Sequence, residues 1–146
     1  MIIMKRGFTL IELLMVLAII ALLAAVSLVF FSSSPPKGRD ARREQDIKAL
    51  QSALNLYINQ KNAYPVCSPE TVIDGNTDCL SSLLLSEETI KAMPIDPKYK
   101  GTGSCGGADS FLYCYQSADG ASYTIRYQLE TDSVQGKSAG WQSVSP

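Results

Sequence analysis

The hydrophobic pattern of the chain changes character three times. From Phe8 to Phe31 the sequence is apolar, with Glu12 as its one charge. At 1.5 Å per residue, these roughly 24 residues make a helix of about 36 Å, long enough to cross a hydrocarbon core of about 30 Å. Ser32-Ser33-Ser34-Pro35-Pro36-Lys37-Gly38 interrupts the run. Neither proline has a backbone N–H, and each restricts the residue before it, so a break is expected over 35–39. Beyond it Ile47, Leu50, Leu54, Tyr57 and Ile58 recur near a 3.6-residue period, which predicts an amphipathic helix over 40–62 with Asp40 as its cap. The charges at its start, Arg42, Arg43, Glu44, Asp46 and Lys48, form a solvated face on this reading.

Tyr64-Pro65 closes that helix, and a loop region follows through Cys67, Pro69, Gly75 and Cys79. Leu80 to Met93 reads as a short helix stopped by Met93-Pro94 and Asp96-Pro97. The period then falls to two. Phe111 to Tyr115 predicts a strand and Asp119-Gly120 a tight turn, and Tyr123, Ile125, Tyr127 and Leu129 supply the core face of a second strand. A third strand is expected around Trp141. Helix first and antiparallel strands after is an α+β plan, with a sheet laid on the apolar stripe of the helix.

Lys5 and Arg6 precede the apolar run and hold the N-terminus in the cytoplasm, so residues 63–146 form an exported head. An ordinary secretory signal has an apolar core of about 7–15 residues, which this run exceeds. A plain membrane anchor explains the length but not Glu12. A carboxylate in an apolar helix calls for a partner. With a cut after Gly7, Glu12 lies one turn inside a new N-terminus at Phe8, where the helix dipole favours an anion and a neighbour's amine can neutralise it.

Composition narrows the chemistry. There is no histidine, which removes the commonest acid/base group and zinc ligand, and no catalytic constellation stands out. The net charge of −1 lacks the basic footprint of a nucleic-acid binder. Tyr99, Tyr113, Tyr115, Tyr123 and Tyr127 therefore read as core and sheet-face residues, not as a stacking platform. Four cysteines in an exported head point to disulfides, with sequence neighbours paired: Cys67 with Cys79 and Cys105 with Cys114. Asp74, Asp78, Asp96, Asp109 and Asp119 lack the spacing of a calcium loop.

Lys5-Arg6-Gly7-Phe8-Thr9-Leu10-Ile11-Glu12-Leu13 resembles the type IV prepilin signature. The resemblance implies a leader over 1–7, a prepilin peptidase that cuts after Gly7 and methylates Phe8, a membrane and assembly helix over 8–34, and Glu12 as the residue that sets subunit docking. In the head, Asp46 to Tyr64-Pro65 and Met93-Pro94-Ile95-Asp96-Pro97 are similar to the major pseudopilin of type II secretion. That similarity implies a filament of identical subunits, held in the membrane lipid and assembled on a membrane platform. The alternative is a minor tip pilin that binds DNA or a surface. Where such pseudopilins carry a Ser-Gly-Asp-Gly type calcium loop, this chain has Lys137-Ser138-Ala139-Gly140-Trp141, so no cofactor is expected.

Overall fold

A computed structural model describes the backbone of residues 9–146 and, outside 26–34, their side chains. Gly7 and Phe8 lie outside the described residues. The chain divides into two compact units, Met1–Pro35 and Pro36–Pro146. Its elements are α1 (Leu10–Lys61), β1 (Cys67–Val72), α2 (Cys79–Ser86), β2 (Cys114–Ser117), β3 (Thr124–Leu129) and β4 (Gly140–Val144). Together they make an α+β pilin-like fold.

The break expected over 35–39 does not end the helix: helical backbone continues from Leu10 to Lys61. A proline's own φ of about −65° is helical, and its penalty is confined to the missing N–H and a clash one turn back. The residues just beyond the two prolines are held by tertiary bonds, since Arg39, Asp40 and Arg43 all pair with the distant Glu130 segment. Asp40 is accordingly an interior residue of α1 and not its cap. The helix ends where Asn62 takes a left-handed conformation (φ 59°) and donates its N–H to the Ile58 carbonyl.

The second unit is a four-stranded antiparallel meander, in the order β1-β2-β3-β4. The 3.6-residue stripe of α1 and the period-two stripe of β3 meet in its core, where Ile47, Leu50 and Leu54 cluster with Tyr115, Ile125, Tyr127 and Leu129. Leu80 and Leu84 of α2 complete it. Burial of Tyr123, Ile125, Tyr127 and Leu129 alternates with partly exposed neighbours, as their spacing predicts.

Three local expectations shift. The loop expected from Cys67 contains β1, an edge strand whose register slips between Cys67 and Thr71. Its sequence, Cys-Ser-Pro-Glu-Thr-Val, has no alternation, because only one edge pairs and a proline is tolerated there. The second helix stops at Ser86, short of Met93: Glu88 turns left-handed (φ 53°), and the Thr89 N–H and hydroxyl both donate to the Leu84 carbonyl. The strand expected at Phe111–Tyr115 begins at Cys114. Leu112, Tyr113, Cys114 and Tyr115 are all buried, because the outer face is also covered. Gly103 lies so close to Leu112 that a Cβ would stand 2.7 Å from its Cδ2, and its φ of +134° suits glycine.

Candidate functional site

The site at the N-terminus starts from Thr9. Its hydroxyl accepts the Glu12 N–H at 3.3 Å, and Glu12 Oε2 accepts the Thr9 N–H at 2.9 Å and the Thr9 hydroxyl at 2.8 Å. This reciprocal arrangement is a capping box, and it satisfies two of the donors that every helix start leaves open. Thr9 was not singled out from the sequence, although Thr-x-x-Glu before an apolar run is its signal. Glu12 Oε1 takes no hydrogen bond among the described residues. Around this polar tip the helix is bare: Leu10 is 80% exposed, Ile11 76% and Leu22 68%. Apolar surface this continuous marks a contact with lipid or protein. Among the described residues no helix is long and apolar enough to cross a membrane. Of the apolar run, Phe8 and the side chains of 26–34 fall outside the description.

A second constellation ties the head together. Arg43 is fully buried, and its fork spans three carboxylates. Nε and Nη2 donate to Asp96 at 2.6 and 3.0 Å, and Nη1 donates to Asp40 and Glu130 at 2.7 Å each. Arg39 closes on Glu130 with two further bonds of 2.7 and 2.6 Å. Asp40 accepts from the Glu130 N–H, the Thr131 N–H and the Thr131 hydroxyl. One buried guanidinium thus joins α1, the Pro94–Pro97 segment and the end of β3. Burial works against the Arg43 charge, but the bonds to Asp96, Glu130 and Asp40 outweigh it and keep the group cationic. Hydrogen bonds from Arg39 first, then from Arg43, hold the Glu130 carboxyl down at about 2 against burial.

The solvated face expected for the helix start is therefore corrected for three of its five charges. Arg43 is buried, Glu44 accepts from the Tyr127 hydroxyl and the Lys137 amine (2.6 and 2.8 Å), and Asp46 accepts from the Tyr113 hydroxyl (2.8 Å). Arg42 and Lys48 do face solvent. An i,i+3 Asp40/Arg43 pair was the one local sign of this network, and its distant partners carried none. Tyr113, Tyr115, Tyr123 and Tyr127 are buried, so they present no stacking face.

Three of the remaining acidic residues have local work. Asp74 accepts from the Asn76 and Thr77 amides and the Thr77 hydroxyl, which draws its carboxyl below the ordinary range. Asp78 caps α2 through the Ser81 N–H, and Asp119 accepts from the Ala121 N–H. The cysteines are bridged as Cys67–Cys79 and Cys105–Cys114. Glu70, Cys105 and Cys114 cluster closely enough to hold a metal, but both sulfurs are consumed by the bridge.

Residues 3–28 match the prokaryotic N-terminal methylation motif, a segment that encloses Gly7, Phe8 and Glu12. Over 96 residues, 64% of this chain, the sequence is 31% identical to type II secretion system core protein G of Escherichia coli. The chain belongs to the pilin and pseudopilin family. Core protein G of Pseudomonas aeruginosa is 28% identical over 126 residues, covering 81% of this chain and 89% of that protein. The type IV major pilin protein PilA of Myxococcus xanthus is 37% identical over 60 residues. The match spans 66% of the Escherichia coli protein and 27% of the pilin. No solved structure matches the chain significantly.

Proposed function

We propose that this chain is a structural subunit of a secretion pseudopilus, made as a precursor and polymerised through its N-terminal helix. The observation that carries the reading is the exposed apolar surface from Leu10 to Leu23 joined to a fixed carboxylate at Glu12. A prepilin peptidase removes residues 1–7 after Gly7 and methylates Phe8. The 8–34 helix holds the subunit in the inner membrane with its head exported, until an assembly platform moves it into the filament. There the apolar helices bundle, and a neighbour's Phe8 amine meets Glu12 at Oε1, the oxygen that the capping box leaves open. The role is structural and not catalytic.

A pseudopilus is favoured over a pilus because two of the matches to core protein G cover 64% and 81% of the chain, whereas the match to the pilin covers 41%. The reading needs no metal. The segment before β4 is held by the Ala139 N–H on Asp132 and by Lys137 on Glu44.

Glu12→Gln tests the proposal, since it keeps the side chain's size and removes its charge. An isolated carboxylate costs about 2.5–3.5 kcal/mol at a helix centre in a membrane and less near an end, and pairing recovers that cost only in the filament. The expected result is mature protein, lacking residues 1–7 by intact mass, that stays in the membrane and is absent from sheared filaments. Normal filament yield from the variant alone rejects the mechanism.

A further inference from the structure

We propose that heads meet in the filament through two different surfaces, with Leu56 of one copy of this chain entering a hollow walled by Leu85 and Ile90 in a second copy. The inference rests on the filament reading above and adds the two head surfaces to it. An open filament of identical subunits is built from such a pair. A patch that fits a pocket elsewhere on the same molecule leaves one of each free at every step of growth.

Leu56 is the knob. It is 52% exposed on α1, and Ser52, Asn55, Asn59 and Gln60 around it are exposed and uncharged. Val66 and Ile95 are the other exposed large apolar side chains of the head among the described residues, and each lies against its own chain. A Cβ on Gly120 would stand 3.3 Å from Val66 Cγ2, and one on Gly75 2.9 Å from Ile95 Cγ2. A single exposed leucine is ordinary on a protein surface. A matching hollow on another face of the same head sets this one apart.

The hollow lies at the end of α2. Its volume is about 390 Å³, and it is lined by Leu85, Glu88, Ile90 and Lys91. Leu85 and Ile90 are half-buried and make its walls apolar, while Glu88 and Lys91 are exposed and supply one charge of each sign. Neither charge has an ion-pair partner among the described residues. A side-chain amide can donate to a carboxylate and accept from an ammonium, so Asn59 and Gln60 beside the knob suit both. The knob cannot fill the hollow of its own head. Lys61 pairs with Glu87 at 2.7 Å, which puts the end of α2 on the side of α1 that Lys61 faces. At about 100° per residue, Lys61 points about 140° around the helix from Leu56. The occupant is therefore a second copy.

The test places one thiol on each surface, as Leu56→Cys/Lys91→Cys in the full chain, in cells that express this variant alone. Cys67, Cys79, Cys105 and Cys114 are already bridged, so each new thiol has only the other kind to meet. Sheared filaments are treated with copper phenanthroline or a short bismaleimide and run without reductant. The expected result is a ladder of dimers, trimers and longer species from the double variant, and monomer from each single one. A ladder that stops at dimers, or dimers from Leu56→Cys alone, overturns the inference, because the contact would then be two-fold. Normal filaments without a ladder overturn it and spare the filament reading. A parent chain that yields no filaments overturns both. Leu56→Asp brings a carboxylate to the apolar walls and should lower the yield of sheared filaments roughly tenfold, with mature protein in the membrane at the parent's level. The parent's yield from that variant overturns the inference as well.

Discussion

Replacing Arg43 with methionine tests how the head is held together. The change keeps most of the stem's volume and removes the guanidinium that serves three carboxylates. Their losses are unequal. Asp40 keeps three hydrogen bonds from the Glu130–Thr131 segment, and Glu130 keeps Arg39 and Lys98. Asp96 loses both bonds from Arg43 and, among the described residues, keeps only the Lys98 N–H. It is 3% exposed, so its charge is left in a place that water barely reaches. Removing one partner of a buried pair costs about 3–5 kcal/mol, and the loss here should fall in that range. Denaturant unfolding of the detergent-solubilised chain, followed by fluorescence of the single Trp141, measures it. Trp141 reports on the same unit, with its indole N–H on the Gly107 carbonyl and Arg126 over its ring. The double variant Arg43→Met/Asp96→Asn separates the ion pair from simple packing. It should be more stable than the sum of the two single losses predicts, by about 1–3 kcal/mol. A loss below about 1 kcal/mol for Arg43→Met, or strict additivity in the double variant, refutes the claim that this cluster fastens the 94–97 segment to α1.

Four further outcomes follow from other contacts in the head. Glu130 is held at about 2 against an ordinary 4.5, so its contribution is fully present above pH 4.5 and drains away as the pH falls toward 2. Acid titration of the unfolding midpoint should show that window in the parent and a flatter one in Glu130→Gln. Replacing Cys105 and Cys114 with serine opens a bridge between residues nine apart, which should cost about 2–3 kcal/mol. Non-reducing peptide mapping of the parent should recover Cys67–Cys79 and Cys105–Cys114, and a crossed pair would contradict the fold. Glu88→Gly relieves a left-handed, non-glycine residue after α2 and should raise stability by about 1 kcal/mol, read from the denaturation midpoint.

The parts of this molecule that the sequence announces are those governed by near neighbours along the chain. An uninterrupted apolar run, a lone Glu12 three residues after Thr9, and alternation from Tyr123 to Leu129 each express a local period, and the core of β3 on α1 follows from matching two stripes. What stayed hidden depends on residues far apart in sequence. The Cys67–Val72 segment is a strand because β2 offers it an edge, although its own residues show no strand pattern. Pro35 and Pro36 look like a terminus, yet helical backbone continues through them while pairing with Glu130, some 90 positions away, holds the turn beyond. Arg43 looks like a surface charge beside other charges. It is buried because Asp96 and Glu130 converge on it from separate loops, and a fork with donors in three directions meets a need that no local window contains.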